Sequence, residues 1–336
     1  MNKIDTLLMT NKVLITCGTG GVGKTTLSCA LGVRAAELGR KTIVITIDPA
    51  KRLATALGLD SLTHDATEIA LKDVPGKLFA LMPDTQRSFE EFFDAISPTS
   101  QISEKIKSNP IFQILGQEFS GAHEYMALQK LSKVYNSGEY DLIILDTPPN
   151  RQALAFFEAP RLLKKFFDEK WIRHLIVPSS RLAAGSIRKA LEMLEKLTGV
   201  GFITHLISFA ASVFETEKKF TERLEQVIHV LESKETGFIF VATAKPELAY
   251  EMNHFISELE RRGYRFNGLI FNRSLSKLAV SQDLPASAAL IIQQWIKKEE
   301  LTLSRLSSES IAIIPECSRD IHSIGDLTHV ARLFVH

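Results

Sequence analysis

Val13-Leu14-Ile15-Thr16-Cys17-Gly18-Thr19-Gly20-Gly21-Val22-Gly23-Lys24-Thr25-Thr26 decides the fold of this chain. An apolar run, Val13 to Cys17, breaks into glycines, ends on Lys-Thr-Thr and opens into a helix-like stretch from Leu27 to Leu38. Strand, glycine loop and helix in that order are the context a phosphate-binding loop requires. Glycines let the backbone close around phosphate, so that successive N–H groups from Gly20, Gly21, Val22 and Gly23 through Lys24, Thr25 and Thr26 point at its oxygens. Lys24 brings a point charge to the β- and γ-phosphates, and the Thr25 hydroxyl is placed to ligate Mg²⁺. The chain is expected to bind ATP or GTP.

Working outward, further short apolar runs recur at Thr42–Ile47, Leu142–Leu145, Phe238–Val241, Leu269–Phe271 and Ile311–Ile314, with helical patterns between them. Each is too short for a helix and rich in Ile, Val or Phe, as buried parallel strands are. The pattern predicts an α/β fold, a P-loop nucleoside triphosphatase (NTPase) with a mostly parallel sheet flanked by helices. Residues 86–140 and 151–235 break the rhythm and read as helices, which predicts one P-loop domain over 1–336 with an inserted helical subdomain. Thirteen of the twenty Phe lie between residues 86 and 235, so the insert is unusually aromatic. Two stripes at helical spacing, Ile187-Ala190-Leu191-Leu194-Leu197 and Phe220-Leu224-Val227-Leu231, are expected to be core.

Composition narrows the function. Over 336 residues, 45% are apolar and the net charge is +1, so nothing global points to nucleic acid. The C-terminal stretch Asp326–Phe334 is not basic either. Cys17, Cys29 and Cys317 are far apart and form no Cys-x-x-Cys, which argues against a zinc ribbon, a redox pair or a disulfide framework. The opening, Met1 to Met9, mimics a leader but runs directly into the phosphate loop. No apolar stretch reaches the roughly 18 residues of a membrane span. A cytoplasmic location is expected.

Two aspartates end apolar strands. Asp146 closes Leu142-Ile143-Ile144-Leu145 and is followed by Thr147-Pro148-Pro149. A carboxylate there holds Mg²⁺ through its water shell. Asp48 follows Thr46-Ile47 and precedes Pro49-Ala50-Lys51. It is placed to orient or deprotonate an attacking water, although an Asp-Pro pair also starts turns and helices.

With these residues assembled, the chain resembles the arsenical-pump ATPase and tail-anchored-protein targeting ATPase family. The resemblance runs through the glycine loop, Asp48-Pro49-Ala50, Gly121-Ala122-His123-Glu124-Tyr125-Met126 and Asp146-Thr147-Pro148-Pro149. It continues through Phe156-Phe157-Glu158-Ala159-Pro160, Lys245-Pro246-Glu247 and Asn272-Arg273 to Pro315. It implies hydrolysis of ATP rather than GTP with Mg²⁺, and Asn272 and the loop at Pro315 beside adenine. It also implies a water positioned by Asp48, and a homodimer in which Glu251 approaches nucleotide from across the interface. The function implied is a dimeric switch that couples nucleotide state to a protein client or a membrane-associated partner.

The departures are specific. The family's dimer-signature lysine falls at Thr19, no Cys-x-x-Cys clasp exists, and residues 86–235 hold only Met126 and Met193 of the methionines that line a targeting groove. Tail-anchored targeting, arsenite-pump energising and a non-hydrolysing nucleotide scaffold stand as alternatives. Arg151, after Asp146-Thr147-Pro148-Pro149-Asn150, is the candidate to replace the missing cation at the γ-phosphate, with Lys51 as the second choice. Residues 161–189 carry eight Lys and Arg against Asp168 and Glu169, interleaved with Phe166, Phe167, Trp171 and Ile172. This stretch is either a solvated helix face or a surface for anionic lipid or an acidic partner.

Overall fold

The structure, a computed structural model, describes residues 2–47, 52–113, 120–147, 153–168, 202–243, 249–275, 286–305, 310–317 and 320–335. Among them eight strands form one sheet: β1 (Val13–Gly18), β2 (Lys41–Thr46), β3 (Thr67–Ile69), β4 (Lys77–Leu81), β5 (Leu142–Asp146), β6 (Thr236–Ala242), β7 (Phe266–Ser274) and β8 (Ser310–Pro315). Their order in space is β3-β4-β2-β5-β1-β6-β7-β8. Every neighbouring pair is parallel except β3 with β4, at one edge. The described helices are α1 (Lys3–Thr10), α2 (Lys24–Glu37), α3 (Arg52–Ala56), α4 (Thr85–Ile96), α5 (Ser100–Lys107), α6 (Ser120–Ser137), α7 (Ala153–Asp168), α8 (Phe202–Phe214), α9 (Glu217–Glu232), α10 (Ala249–Arg261), α11 (Ala286–Ser304) and α12 (Ile324–Leu333).

All six runs expected as strands are strands. Every residue of β1, β5 and β6 is buried, as happens when helices cover both faces of a parallel sheet. Two strands were not foreseen. β3 is three residues long and exposes Glu68, while β4 opens on exposed Lys77 and only half-buries Phe79. β3 makes no apolar run, whereas β4 carries Leu78-Phe79-Ala80-Leu81, a run that sequence reasoning passed over.

The chain divides into two compact units. One comprises residues 1–83, 131–155 and 230–336 and holds the sheet. Its core joins Leu14, Val44 and Ile144 of the strands to Leu27 and Leu31 of α2 and Leu327 and Val330 of α12. The leader-like opening is α1, capped by the Asn2 side chain, which accepts from the Asp5 N–H at 2.7 Å. Ile4 and Leu8 bury one face, and Arg34 of α2 grips Asp5 with two parallel hydrogen bonds of 2.8 and 2.9 Å.

The other unit comprises residues 84–130 and 156–229, and its described elements are helical. Its core is aromatic. Phe92 meets Phe93, Tyr125 and Phe220 edge-on at ring-centroid distances of 5.3, 5.7 and 5.2 Å. Phe89 lies 4.8 Å from Phe112. Edge-on pairs of this kind contribute beyond the area they bury. The Phe220-Leu224-Val227-Leu231 stripe of α9 is buried throughout. The Ile187–Leu197 stripe lies outside the described residues.

A nucleotide site at the centre of the sheet

β1 lies between β5 and β6, and the phosphate loop leaves its C-terminal end, the usual place for a ligand in an open α/β sheet. Two glycines make that turn possible. Gly18 has φ +148°, and a Cβ there would meet the Val241 carbonyl oxygen at 2.4 Å. Gly23 has φ +88° and caps α2 without any side-chain hydrogen bond, leaving its first-turn N–H groups to other acceptors. A helix N-terminus so arranged fits an anion.

Strand register builds the carboxylate site. Asp146 stands opposite Thr16 of β1 and Thr46 of β2. It is fully buried, and three hydroxyls converge on it: Thr25 donates to Oδ2 at 2.8 Å, Thr46 to the same oxygen at 3.1 Å, and Ser28 to Oδ1 at 3.4 Å. Buried charge is tolerated only when hydrogen-bonded in this way. Thr16 supports the group from behind, its Oγ1 lying 2.7 Å from Ser28 Oγ. Lys24 is buried, and its ammonium donates to the carbonyls of Gly18 and Thr19 at 2.9 and 3.0 Å, which holds the charge over the loop. A carboxylate beside a hydroxyl is a hard-oxygen donor set of the type Mg²⁺ takes while keeping several waters. The residues present therefore fit that ion at Thr25 and Asp146.

Beside the loop lies a cavity of about 230 Å³, lined by Gly23, Leu27, Asn272, Arg273, Pro315 and Cys317 among others. The Asn272 side-chain amide donates to the Val22 carbonyl at 2.8 Å and would collide with any Cβ at Gly23. Its volume is below the roughly 300–1,000 Å³ of pockets that enclose a whole ligand, which suits a base rather than an entire nucleotide.

A family model described as anion-transporting ATPase matches residues 11–335. The chain belongs to this family. Its activity is ATP hydrolysis. It is 23% identical over 302 residues to "Putative arsenical pump-driving ATPase 1" of Aquifex aeolicus, covering 88% of this chain and 71% of that protein. It is 26% identical over 271 residues to ATPase GET3 of Malassezia globosa, covering 77% of this chain and 71% of that protein. Over a shorter stretch of 153 residues it is 33% identical to ATPase get3 of Schizosaccharomyces pombe, covering 44% of this chain and 43% of that one.

In this ATPase the structure gathers Gly20, Gly21, Val22, Gly23, Lys24, Thr25, Thr26 and Asp146 at the loop, with Asn272 and Pro315 at the neighbouring cavity. Glu251 falls in the first turn of α10. Asp48, Lys51 and Arg151 lie outside the described residues, as does most of 161–189. In the described part of that basic stretch, Arg161 pairs with Glu158 at 2.9 Å and Lys164 with Glu225 at 2.7 Å, so two of its cations already face carboxylates. Sequence reasoning missed Thr16, Ser28 and Thr46. A threonine ending a strand next to the loop, and a serine four residues past Lys24, are the signals that could have found them.

No described helix is long and apolar enough to cross a membrane, and no group of three or more His, Cys, Asp or Glu among the described residues is placed to hold a metal. The thiols are of two kinds. Burial pushes Cys17 up to about 12, partly opposed by Lys24, and burial also raises Cys29, with Asp146 adding to it. Cys317 is only half-buried at the cavity wall; burial and then Glu316 raise its thiol too, so access is what sets it apart. Thiolate is the reactive form. Iodoacetamide at mildly alkaline pH should therefore modify Cys317 alone in the folded protein, as read by peptide mass mapping. Modification of Cys17 or Cys29 without loss of native circular dichroism would contradict the burial described.

Proposed function

We propose that this protein is a Mg²⁺-dependent ATPase switch that works as a dimer and couples its nucleotide state to a protein client through the helical unit, in the cytosol. The observation that carries the reading is the Thr25–Asp146 pair, 2.8 Å apart at the head of the central strand, next to the loop whose Gly18 and Thr19 carbonyls hold the Lys24 ammonium. Thr25 and Asp146 would hold Mg²⁺, which would supply positive charge to the nucleotide phosphates. The chain's own residues do the rest. Loop N–H groups and Lys24 hold the phosphates, Asn272 and the Pro315 turn hold adenine, and Asp48 orients the attacking water and takes its proton. Glu251 approaches the nucleotide of the second copy.

Thr19 can donate a hydrogen bond but carries no charge, so the cation that relatives place there comes from elsewhere. Arg151 supplies it, on the segment that follows Asp146 and responds when phosphate leaves. The helical unit, formed by the inserted segments at about 86–140 and 151–235, carries the client surface. Residues 86–235 hold only Met126 and Met193, so the client is recognised by a shaped surface more than by an adaptable methionine groove. An arsenical as effector is disfavoured, because Cys17 and Cys29 are buried and none of the described thiols cluster.

Turnover by Asp48→Asn and Arg151→Ala, alone and mixed, tests this reading. Asp48→Asn should bind ATP almost normally and turn over roughly 10²-fold more slowly, the scale of a lost general base. Arg151→Ala should keep ATP affinity but lose ATP-dependent dimerisation, measured by sedimentation. Mixing the two should restore part of the activity if the arginine acts across the dimer. Parental turnover in Asp48→Asn, or a monomer that hydrolyses ATP at the full rate, would refute the switch.

A further inference from the structure

Helix α11 is largely exposed, with Leu290, Ile291 and Trp295 facing solvent, yet it buries a carboxylate. Glu299 is fully buried. Its Oε2 accepts the backbone N–H of Leu275 at 2.8 Å, and the Ser274 hydroxyl makes a short hydrogen bond to Oε1. These partners lie immediately beyond Asn272 and Arg273.

That segment needs holding. Arg273 has φ +58°, a conformation that costs a non-glycine residue free energy and persists only when its surroundings enforce it. The pairing of β7 with β8 also shifts register between Phe271 and Ser274. On the far side, the Ser274 carbonyl accepts from the Glu316 N–H at 3.1 Å, and Ser274 stands opposite Pro315. One carboxylate thus ties α11 to the end of β7 and, through Ser274, to the turn that leaves β8. Asn272 and Arg273 form one wall of the cavity beside the phosphate loop, and Pro315 and Glu316 form another.

We propose that Glu299 is a positioning residue for the nucleotide base: it fixes both walls of that cavity and so sets discrimination between ATP and other triphosphates. The proposal rests on the reading of the cavity as the base site. A carboxylate suits the position because the Ser274 hydroxyl and the Leu275 N–H both donate to it. A glutamine accepts at one oxygen only and turns an NH₂ toward the other donor.

The test compares the parent with Glu299→Ala, Glu299→Gln and Asn272→Ala. KM and kcat are measured for ATP and GTP, together with competitive inhibition by tripolyphosphate, which has no base. Glu299→Ala should raise KM for ATP roughly tenfold, the scale of one buried donor left unsatisfied. The kcat should stay within about twofold, the preference over GTP should shrink, and the tripolyphosphate inhibition constant should not move. Glu299→Gln should fall between Glu299→Ala and the parent, and it decides the matter if the alanine variant fails to fold. A tripolyphosphate constant that rises in step with KM would mean general damage and would overturn the assignment. If Asn272→Ala raises KM for ATP and neither Glu299 variant does, the role of Glu299 is wrong. If Asn272→Ala also leaves KM unchanged, the base site itself is misplaced, and the proposal falls with it.

Discussion

Lys24→Ala is expected to slow phosphate release from ATP by roughly 10³-fold, the upper end of what one preorganised electrostatic group supplies. The ammonium is buried and held by the Gly18 and Thr19 carbonyls, so it meets phosphate already oriented and largely desolvated. Charge in such a site acts far more strongly than in water. The variant should also bind ATP more weakly, because the same cation serves the ground state. Single-turnover phosphate release and equilibrium binding of a fluorescent ATP analogue separate the two effects. Near-parental release from a folded Lys24→Ala protein would remove the loop from the chemistry.

The second large effect is on stability. Phe92→Ala should destabilise the helical unit by roughly 3–5 kcal/mol, the range for a large aromatic deleted from a core. Phe92 is buried and makes three ring contacts, to Phe93 beside it on α4, to Tyr125 of α6 and to Phe220 of α9. Hydrogen exchange reads the result directly. Amides of α4 and α9 should lose protection by roughly 10²-fold to a few times 10³-fold, at a factor of ten for each 1.4 kcal/mol. Unchanged protection there would mean that the ring cluster is not what holds the unit. Because the chain has two compact units, a single melting temperature is a poor substitute for that residue-level measurement.

What the sequence disclosed follows from where each residue sits. β1, β2, β5 and β6 were legible because strands buried on both faces carry unbroken runs such as Leu142-Ile143-Ile144-Leu145. β7 and β8 were legible because Leu269–Phe271 and Ile311–Ile314 are apolar, although β8 is only partly buried. β3 was not, since a short edge strand needs neither length nor continuity, and β4, although its Leu78-Phe79-Ala80-Leu81 run is apolar, was passed over. The placement of Lys24 and Thr25 in the first turn of α2 was legible from spacing alone, and so was that of Asp146 at the end of an apolar strand. The hydroxyls that make Asp146 tolerable in the core, Ser28 and Thr46, were not, because they converge only through strand register and helix docking. Glu299 is the extreme case. In Lys297-Lys298-Glu299-Glu300 it reads as one charge on a solvated helix, and only the fold turns it inward onto Leu275. The aromatic richness of residues 86–235 was visible as composition, but composition alone does not say which rings meet.

The most direct test of the account is phosphate release from ATP by the unaltered full chain, with enzyme in excess and Mg²⁺ supplied or chelated. Excess enzyme reveals even a slow switch that waits for a client. The account predicts saturable conversion of bound ATP to ADP and phosphate that stops when EDTA removes the ion. ATP that stays bound and intact with Mg²⁺ present, or release that continues at the same rate in EDTA, would contradict it.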